Sequence, residues 1–135
     1  MENFSELNLH KTILANLKKE GFTKPREIQK RCVPIAMENK DILALSPTAS
    51  GKTIAFSLGI IQKLLTSTKD KAMIMSPTRE LAGQISTVFN KLIVNTPIRS
   101  ALLTGGSSIQ KQIRQLERNP RIIFLTPGRA WDLAQ

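Results

Sequence analysis

The sequence is poor in cysteine and in aromatic residues. Its one cysteine, Cys32, excludes a framework of internal disulfides and is typical of a reducing compartment, so we predict a cytoplasmic protein. With five Phe, one Trp and no Tyr, few side chains are available for stacking on single-stranded bases. Apolar runs are interrupted within about five residues, whereas a membrane span needs roughly 20, so no membrane contact is expected.

Acidic residues are also scarce, and the net charge is +10 with a pI near 10.3. One explanation is a lysine-rich surface that is simply solvated. The other is a polyanionic partner, because clustered Lys and Arg gain affinity by releasing counterions from phosphates. With 41% hydrophobic residues, the chain has enough apolar side chains for a folded core.

Short apolar runs alternate with amphipathic segments along most of the chain. We predict buried strands over 42–45, 72–75, 101–103 and 122–125, with a helix after each. Such alternation is typical of an α/β fold with a parallel sheet. In these sheets ligands bind at the carboxyl ends of the strands, which is where the unusual residues of this sequence fall.

Capping residues and prolines set the expected helix ends. A first helix is expected to end at Gly21, and a second to begin with Pro25 in its first turn and to be interrupted by Pro34. Thr78 is a candidate cap for the helix after the second predicted strand. After the third, Ser107 or Ser108 is expected to cap a helix whose inward residues are the following: Ile109, Ile113 and Leu116.

The segment from Ser46 to Thr53 reads Ser-Pro-Thr-Ala-Ser-Gly-Lys-Thr, between a predicted strand and a predicted helix. In that context backbone N–H groups and the positive end of the helix dipole favour a phosphate. Lys52 would reach the outer phosphates, and the Thr53 hydroxyl would take part in a Mg²⁺ site. The alternative is a solvated lysine, but a cation in the first helical turn is unfavourable by about 0.3–1 kcal/mol.

Five segments in this order resemble the motifs of the DEAD-box RNA helicases. They are a Q motif over 21–29, the phosphate loop over 46–53, motif Ia over 77–82, the glycine pair at 105–106 and motif Ib over 126–129. Each short motif is weak alone, but together they make the chain similar to the N-terminal part of such a helicase.

The resemblance implies an α/β fold of the RecA-like, P-loop NTPase type, with a parallel sheet flanked by helices and an incomplete first helicase domain. It divides the chain into a Q-motif region over 1–37 and a partial ATP-binding domain over 38–135. It implies the activity of an ATP-dependent RNA helicase that uses ATP and Mg²⁺ and has RNA and ATP or ADP as partners.

By this resemblance Gln29 reads adenine, since its amide offers both a donor and an acceptor, while Phe22 and Lys24 pack against the base. The alternative is a surface Gln on a capped helix, with Phe22 in the core. Lys52 and Thr53 are the candidate catalytic residues, and Thr53 contributes to Mg²⁺ binding through ATP. The full nucleotide-binding set is the following: Phe22, Lys24, Gln29, Ser46, Pro47, Thr48, Ala49, Ser50, Gly51, Lys52 and Thr53.

The family also implies an RNA-contacting set that binds sugar and phosphate with little sequence preference. The alternatives are a capping Thr78, a tight turn at the glycine pair and a solvated Arg129. The set is the following: Pro77, Thr78, Arg79, Gly105, Gly106, Thr126, Pro127, Gly128 and Arg129.

The sequence departs from the family pattern in several places. Ser46 stands where Ala is usual and Ala49 where Gly is usual; a Cβ at Ala49 would cost about 1–2 kcal/mol if that backbone were left-handed. No Asp-Glu-Ala-Asp or Ser-Ala-Thr sequence occurs in the 135 residues. We therefore expect the isolated chain to bind without hydrolysing ATP, and its apolar strand edges to favour self-association. The alternative is a non-catalytic nucleotide- or RNA-binding module, or a truncated competitor of a full-length helicase.

Overall fold

The computed structural model describes residues 3–47 and 51–135. A short 3₁₀ turn, Phe4–Leu7, precedes six helices and three strands in these ranges. In chain order they are the following: α1 Lys11–Lys19, α2 Glu27–Met37, α3 Lys52–Thr66, β1 Ala72–Met75, α4 Arg79–Leu92, β2 Ser100–Leu103, α5 Ile109–Glu117, β3 Ile122–Leu125 and α6 Pro127–Ala134. None of these helices is long and apolar enough to cross a membrane.

The three strands form one parallel sheet in the order β1–β3–β2. Phe124, in the central strand, lies beside Ile74 on one side and Leu102 on the other. Because the strands are parallel and a helix follows each one, α4, α5 and α6 all begin at the same edge of the sheet. The predicted α/β class and three of the four predicted strands are confirmed, to within one residue at their ends.

The predicted strand over 42–45 is wrong. Residues 41–47 carry no strand, and Leu43 and Leu45 are 88% and 85% exposed. A strand needs a neighbouring backbone to satisfy its N–H and C=O groups, and no strand in the described ranges lies beside this segment. β1 likewise has no second neighbour there, and its Met73 and Met75 are exposed.

Of the two N-terminal helices, α1 ends as predicted, whereas α2 differs from the prediction at both of its prolines. The end of α1 is as expected: Gly21 has φ +85°, and the Phe22 N–H donates to the Leu17 carbonyl at 2.9 Å, which closes the helix. Pro25 lies before α2 rather than in its first turn, and Pro34 lies inside α2 without ending it. Close packing of α2 on α3 outweighs the lost backbone hydrogen bond.

That packing depends on a glycine in α3. A Cβ added at Gly59 would lie 2.5 Å from the Cβ of Ala36 in α2, which is closer than two carbon atoms can approach. Glycine at this position therefore sets how near α3 comes to α2, and with it the shape of the cleft between them.

The larger of two hydrophobic clusters joins helices α1, α2, α3 and α4 to the sheet, and a smaller one lies between the sheet and helices α5 and α6. Phe89 of α4 and Phe124 of β3 are fully buried and meet edge to face, with ring centroids 5.1 Å apart. Ile13 of α1 and Val33 of α2 belong to the same cluster of buried side chains. The N-terminal 37 residues therefore share their core with the residues that follow.

Arg121, at the start of β3, ties the loop before β1 to the sheet. Its guanidinium donates to the carbonyl of Leu64 at 2.7 Å, to that of Asp70 at 2.9 Å, and to that of Ser67. These carbonyls lie at and beyond the C-terminal end of α3, where helix carbonyls lack intrahelical partners. The planar, multidentate guanidinium therefore caps α3 and positions the start of β1.

Candidate nucleotide-binding and nucleic-acid sites

A cleft of about 1250 Å³ lies between the segment from Gly21 to Arg26, helix α2 and the start of α3. Its lining includes Phe22, Lys24 and Gln29 from the N-terminal side, and Lys52 and Thr53 from α3. Phe22 is 40% exposed there rather than in the core. With Gly51, which also lines it, the cleft brings together six residues predicted to bind nucleotide from two separate parts of the sequence.

Gln29 connects the two sides of this cleft. Its side chain is 2% exposed; Oε1 accepts from the Arg26 N–H at 2.9 Å, and Nε2 donates to the Gly51 carbonyl at 3.3 Å. The first bond satisfies the backbone N–H of Arg26, the N-cap residue of α2. The second places the amide directly against the residue that begins α3.

Gly51 is the N-cap of α3 and has φ +92°, in the left-handed region. A Cβ at this position would lie 2.5 Å from Nε2 of Gln29, so only glycine satisfies both the backbone angle and the contact. The space beside Gly51 is therefore occupied by the Gln29 amide, and the N-terminus of α3 faces the cleft.

Lys52 is exposed in the first turn of α3, and its ammonium donates to the Ser46 carbonyl at 2.8 Å. This hydrogen bond connects the first turn of α3 to Ser46. Thr53 is partly buried in the next position. The predicted loop residues Thr48, Ala49 and Ser50 lie outside the described residues.

The second group of predicted residues lies at the edge of the sheet where α4, α5 and α6 begin. The Thr78 hydroxyl accepts from the Leu81 N–H at 3.2 Å and so caps α4, as predicted. Ser108 caps α5 through the Lys111 N–H at 3.4 Å. Thr126 precedes α6 without a side-chain capping bond. Three positive helix ends therefore converge beside the glycine pair.

Two arginines connect these segments through backbone carbonyls. Nη1 of Arg79 lies 3.4 Å from the Gly105 carbonyl oxygen, and Nη1 of Arg129 donates to the Ser107 carbonyl at 3.1 Å. Gly106 has φ +88°, and a Cβ there would meet the guanidinium of Arg79 at 2.0 Å. Among the residues predicted to contact RNA, Arg79 therefore lies against the glycine pair, and Arg129 lies against the residue that follows the pair.

Within this group exposure varies. Pro77, Thr78 and Arg79 are exposed, as are Pro127 and Gly128. Thr126 is buried at 8%, and the Arg129 side chain is 11% exposed. The accessible part of this surface is therefore formed by the start of α4, by the turn over residues 105–107 (the glycine turn) and by the first turn of α6.

Sequence reasoning missed one residue of this region, Gln112. The inward residues of α5 were predicted to include Ile113, but that side chain is 42% exposed, whereas Gln112 is 2% exposed. The least exposed row follows positions 109, 112 and 116, of which 109 and 116 are half-buried; this i, i+3, i+7 spacing is as helical as the predicted one. A polar residue in that row is the signal that could have identified Gln112.

No cluster of three or more His, Cys, Asp or Glu side chains arranged to hold a metal ion occurs among residues 3–47 and 51–135. Thr53, the residue predicted to take part in a Mg²⁺ site, lies in the lining of the cleft. The donors of the cleft fit a nucleotide: a helix N-terminus at Gly51, a flexible ammonium at Lys52 and a hydroxyl at Thr53.

Comparison with known proteins decides the family. The DEAD/DEAH box helicase family model matches residues 26–135. The chain belongs to this family. It is 43% identical over 130 residues to ATP-dependent RNA helicase DBP10 of Candida glabrata, covering 94% of this chain and 13% of that protein. It is 42% identical to ATP-dependent rRNA helicase RRP3 of Candida albicans, covering 97% of this chain and 25% of that protein.

Solved structures agree on the fold. A DEAD box protein from Methanococcus jannaschii matches with a TM-score of 0.90 and 37% identity, over 98% of this chain and 36% of that one. A hypothetical ATP-dependent RNA helicase from Sulfolobus tokodaii matches with a TM-score of 0.85 and 28% identity, over 93% and 36%. The sheet and its helices are therefore those of a RecA-like helicase domain. The chain spans about a third of these solved chains and between 13% and 25% of the two named relatives.

Proposed function

We propose that this chain is the ATP- and RNA-binding part of the first domain of an ATP-dependent RNA helicase. The observation that carries the proposal is the contact between Gln29 and Gly51. It joins the residue proposed to read adenine to the helix end proposed to hold phosphates, so that one nucleotide can occupy both sides of the cleft.

Gln29 has the hydrogen-bonding capacity to read adenine. Its amide carries two N–H donors and two acceptor sites on oxygen, and the structure uses one of each, at Gly51 and Arg26. The remaining donor and acceptor match N7 and the N6 amino group of adenine. Guanine carries an oxygen in place of that amino group and would leave the amide oxygen facing another acceptor. Phe22 and Lys24 would pack against the base at the mouth of the cleft.

The start of α3 would hold the phosphates. Backbone N–H groups of its first turn and the helix dipole favour the anion, and Lys52 would move from the Ser46 carbonyl to the outer phosphates. Thr53 would share in binding Mg²⁺, which neutralises phosphate charge when bound. The predicted contacts of Ser46, Pro47, Thr48, Ala49 and Ser50 belong to the same proposal.

RNA would bind along the edge where α4, α5 and α6 begin. The exposed residues there, including Arg79 and Gly128, offer a guanidinium and a backbone N–H group, which suit phosphate and sugar rather than base edges. The net charge of +10 favours the same partner. We therefore expect weak sequence preference and strong salt dependence.

Hydrolysis by these 135 residues alone is not expected. Phosphoryl transfer depends on carboxylates that hold Mg²⁺ and orient water, and no Asp-Glu-Ala-Asp sequence is present. The alternative, a non-catalytic nucleotide- or RNA-binding module or a truncated competitor of a full-length helicase, stays a prediction. Self-association through exposed apolar residues, including Leu43 and Met75, stays a prediction, as does the cytoplasmic location.

Assays on the chain beside a version extended through the missing motifs test the proposal. We expect both to bind single-stranded RNA and ATP, and only the extended version to hydrolyse ATP. Failure of the chain to bind either ligand would contradict the proposal. ATP turnover by the chain alone would contradict the assignment of catalysis to the missing motifs.

A further inference from the structure

Gln112 lies between two segments of the proposed RNA surface and touches both. Its Nε2 donates to the Thr104 carbonyl at 2.8 Å, at the end of β2. Its Oε1 accepts from Nη1 of Arg129, in α6, also at 2.8 Å. Both ends of a 2%-exposed amide are therefore satisfied by groups from two different elements, which fixes its orientation.

The contact with Gln112 also helps to fix the orientation of the Arg129 guanidinium. Nη1 of Arg129 is shared between Gln112 and the Ser107 carbonyl at 3.1 Å. Nε is buried without a hydrogen-bond partner in the part of the chain that the structure describes, and it forms an ion pair with the half-exposed Asp132 carboxylate, 3.6 Å away in the same helix. A guanidinium held in this way lies against the glycine turn rather than extending into solvent.

The turn itself has few other restraints. The backbone N–H groups of Gly105, Gly106 and Ser107 donate to no backbone carbonyl among the described residues. Its carbonyls are held by arginine side chains, Arg79 at Gly105 and Arg129 at Ser107. Arg79 therefore ties the turn to α4, and Arg129 ties it to α6.

From these contacts we infer that Gln112 is a positioning residue for RNA binding. By orienting Arg129 onto the Ser107 carbonyl, it holds the glycine turn beside the first turn of α6, so that both present their N–H groups to one RNA backbone. The inference rests on the proposed RNA-binding function. It assigns Arg129 to the support of the surface, and leaves phosphate contact to exposed residues such as Arg79.

Three variants separate this role from simple filling of the core. Gln112→Met keeps the side-chain length and removes both hydrogen bonds. Gln112→Glu keeps an acceptor for Arg129 and removes the donor to Thr104. Gln115→Met is the matched control, because it makes the same chemical change three residues away on an exposed side of α5. If Gln112→Met does not fold, Arg129→Met removes the same contact from its other end.

The first measurement is made without RNA, as order parameters of the backbone amides from ¹⁵N relaxation. In Gln112→Met we expect the values at Gly106 and Ser107 to fall from about 0.85 to below about 0.6, the ranges of rigid and flexible backbone, while Phe124 in β3 is unchanged. We expect Gln112→Glu and Gln115→Met to retain the parental values. Equal values in Gln112→Met and Gln115→Met, or equal loss in Gln112→Met and Gln112→Glu, would overturn the inference.

The second measurement is the affinity for a ten-nucleotide polyuridine RNA at low salt. We expect Gln112→Met to weaken binding about tenfold, the effect of losing one hydrogen bond to a charged group, and Gln115→Met to leave it unchanged. A looser turn with parental RNA affinity would overturn the positioning role. If the parent chain binds no RNA while Gln112→Met still loosens the turn, the proposed function fails and the structural contact stands.

Discussion

Replacing Gly51 by alanine perturbs the point where the two sides of the cleft meet. The left-handed backbone, φ +92°, costs a residue with a Cβ about 1–2 kcal/mol. The added Cβ would also lie 2.5 Å from Nε2 of Gln29 and displace that amide from the Gly51 carbonyl, a loss of about 1 kcal/mol. We therefore expect a decrease of about 2–3 kcal/mol in the free energy of unfolding.

In a chain of this length that decrease corresponds to a melting temperature lower by about 6–15 °C. ATP affinity should fall about tenfold or more, because the N–H groups at the start of α3 shift with the N-cap. Thermal unfolding by circular dichroism and titration with a fluorescent ATP analogue measure the two effects.

Gly83→Ala is the matched control for this substitution. Gly83 lies within α4, and a Cβ there would meet no atom within 4 Å, so alanine should raise stability by about 0.5–1 kcal/mol and leave ATP affinity unchanged. If Gly51→Ala matched the parent in stability and in ATP affinity, the left-handed cap and its contact with Gln29 would have no role in the cleft.

Three further predictions concern packing, the loop before β1 and RNA. Gly59→Ala should lower the free energy of unfolding by about 1–3 kcal/mol in urea, because the new Cβ overlaps Ala36; stabilisation would contradict the α2–α3 packing. Arg121→Lys should cost about 2 kcal/mol in the same assay, since one ammonium cannot replace the bonds to three carbonyls, and a loss below about 0.5 kcal/mol would contradict it. The logarithm of RNA affinity should fall with that of salt concentration with a slope of about −0.7 per neutralised phosphate, so a slope near zero would refute backbone binding.

Most of the sheet could be predicted from the sequence because its strands are continuous apolar runs with turn residues on either side. The runs over 72–75 and 122–125 match β1 and β3 residue for residue. The run over 42–45 has the same pattern and is not a strand, because pairing depends on a neighbouring backbone that local sequence does not specify. Pro34 shows the opposite case, in which tertiary packing of α2 outweighs an unfavourable local residue.

The candidate residues of the cleft and of the proposed RNA surface could be listed from the sequence, but the hydrogen bonds between them could not. Short motifs identify Gln29, Gly51 and Arg129 by residue type and spacing. The bond from Gln29 to Gly51 spans 22 positions and depends on how α2 packs against α3. Gln112 was missed for a related reason, since two helical rows on α5 fit the sequence equally well and only the packing against β2 distinguishes them.

We propose that the cleft beside Gln29 binds an adenine nucleotide in preference to a guanine nucleotide. Parallel titrations of the chain with ATP and GTP, in the presence of Mg²⁺, test it most directly by isothermal calorimetry. We expect ATP to bind at least about tenfold more tightly than GTP, because guanine leaves the Gln29 amide oxygen facing another acceptor. Equal affinities for the two nucleotides, or no binding of ATP, would contradict the claim.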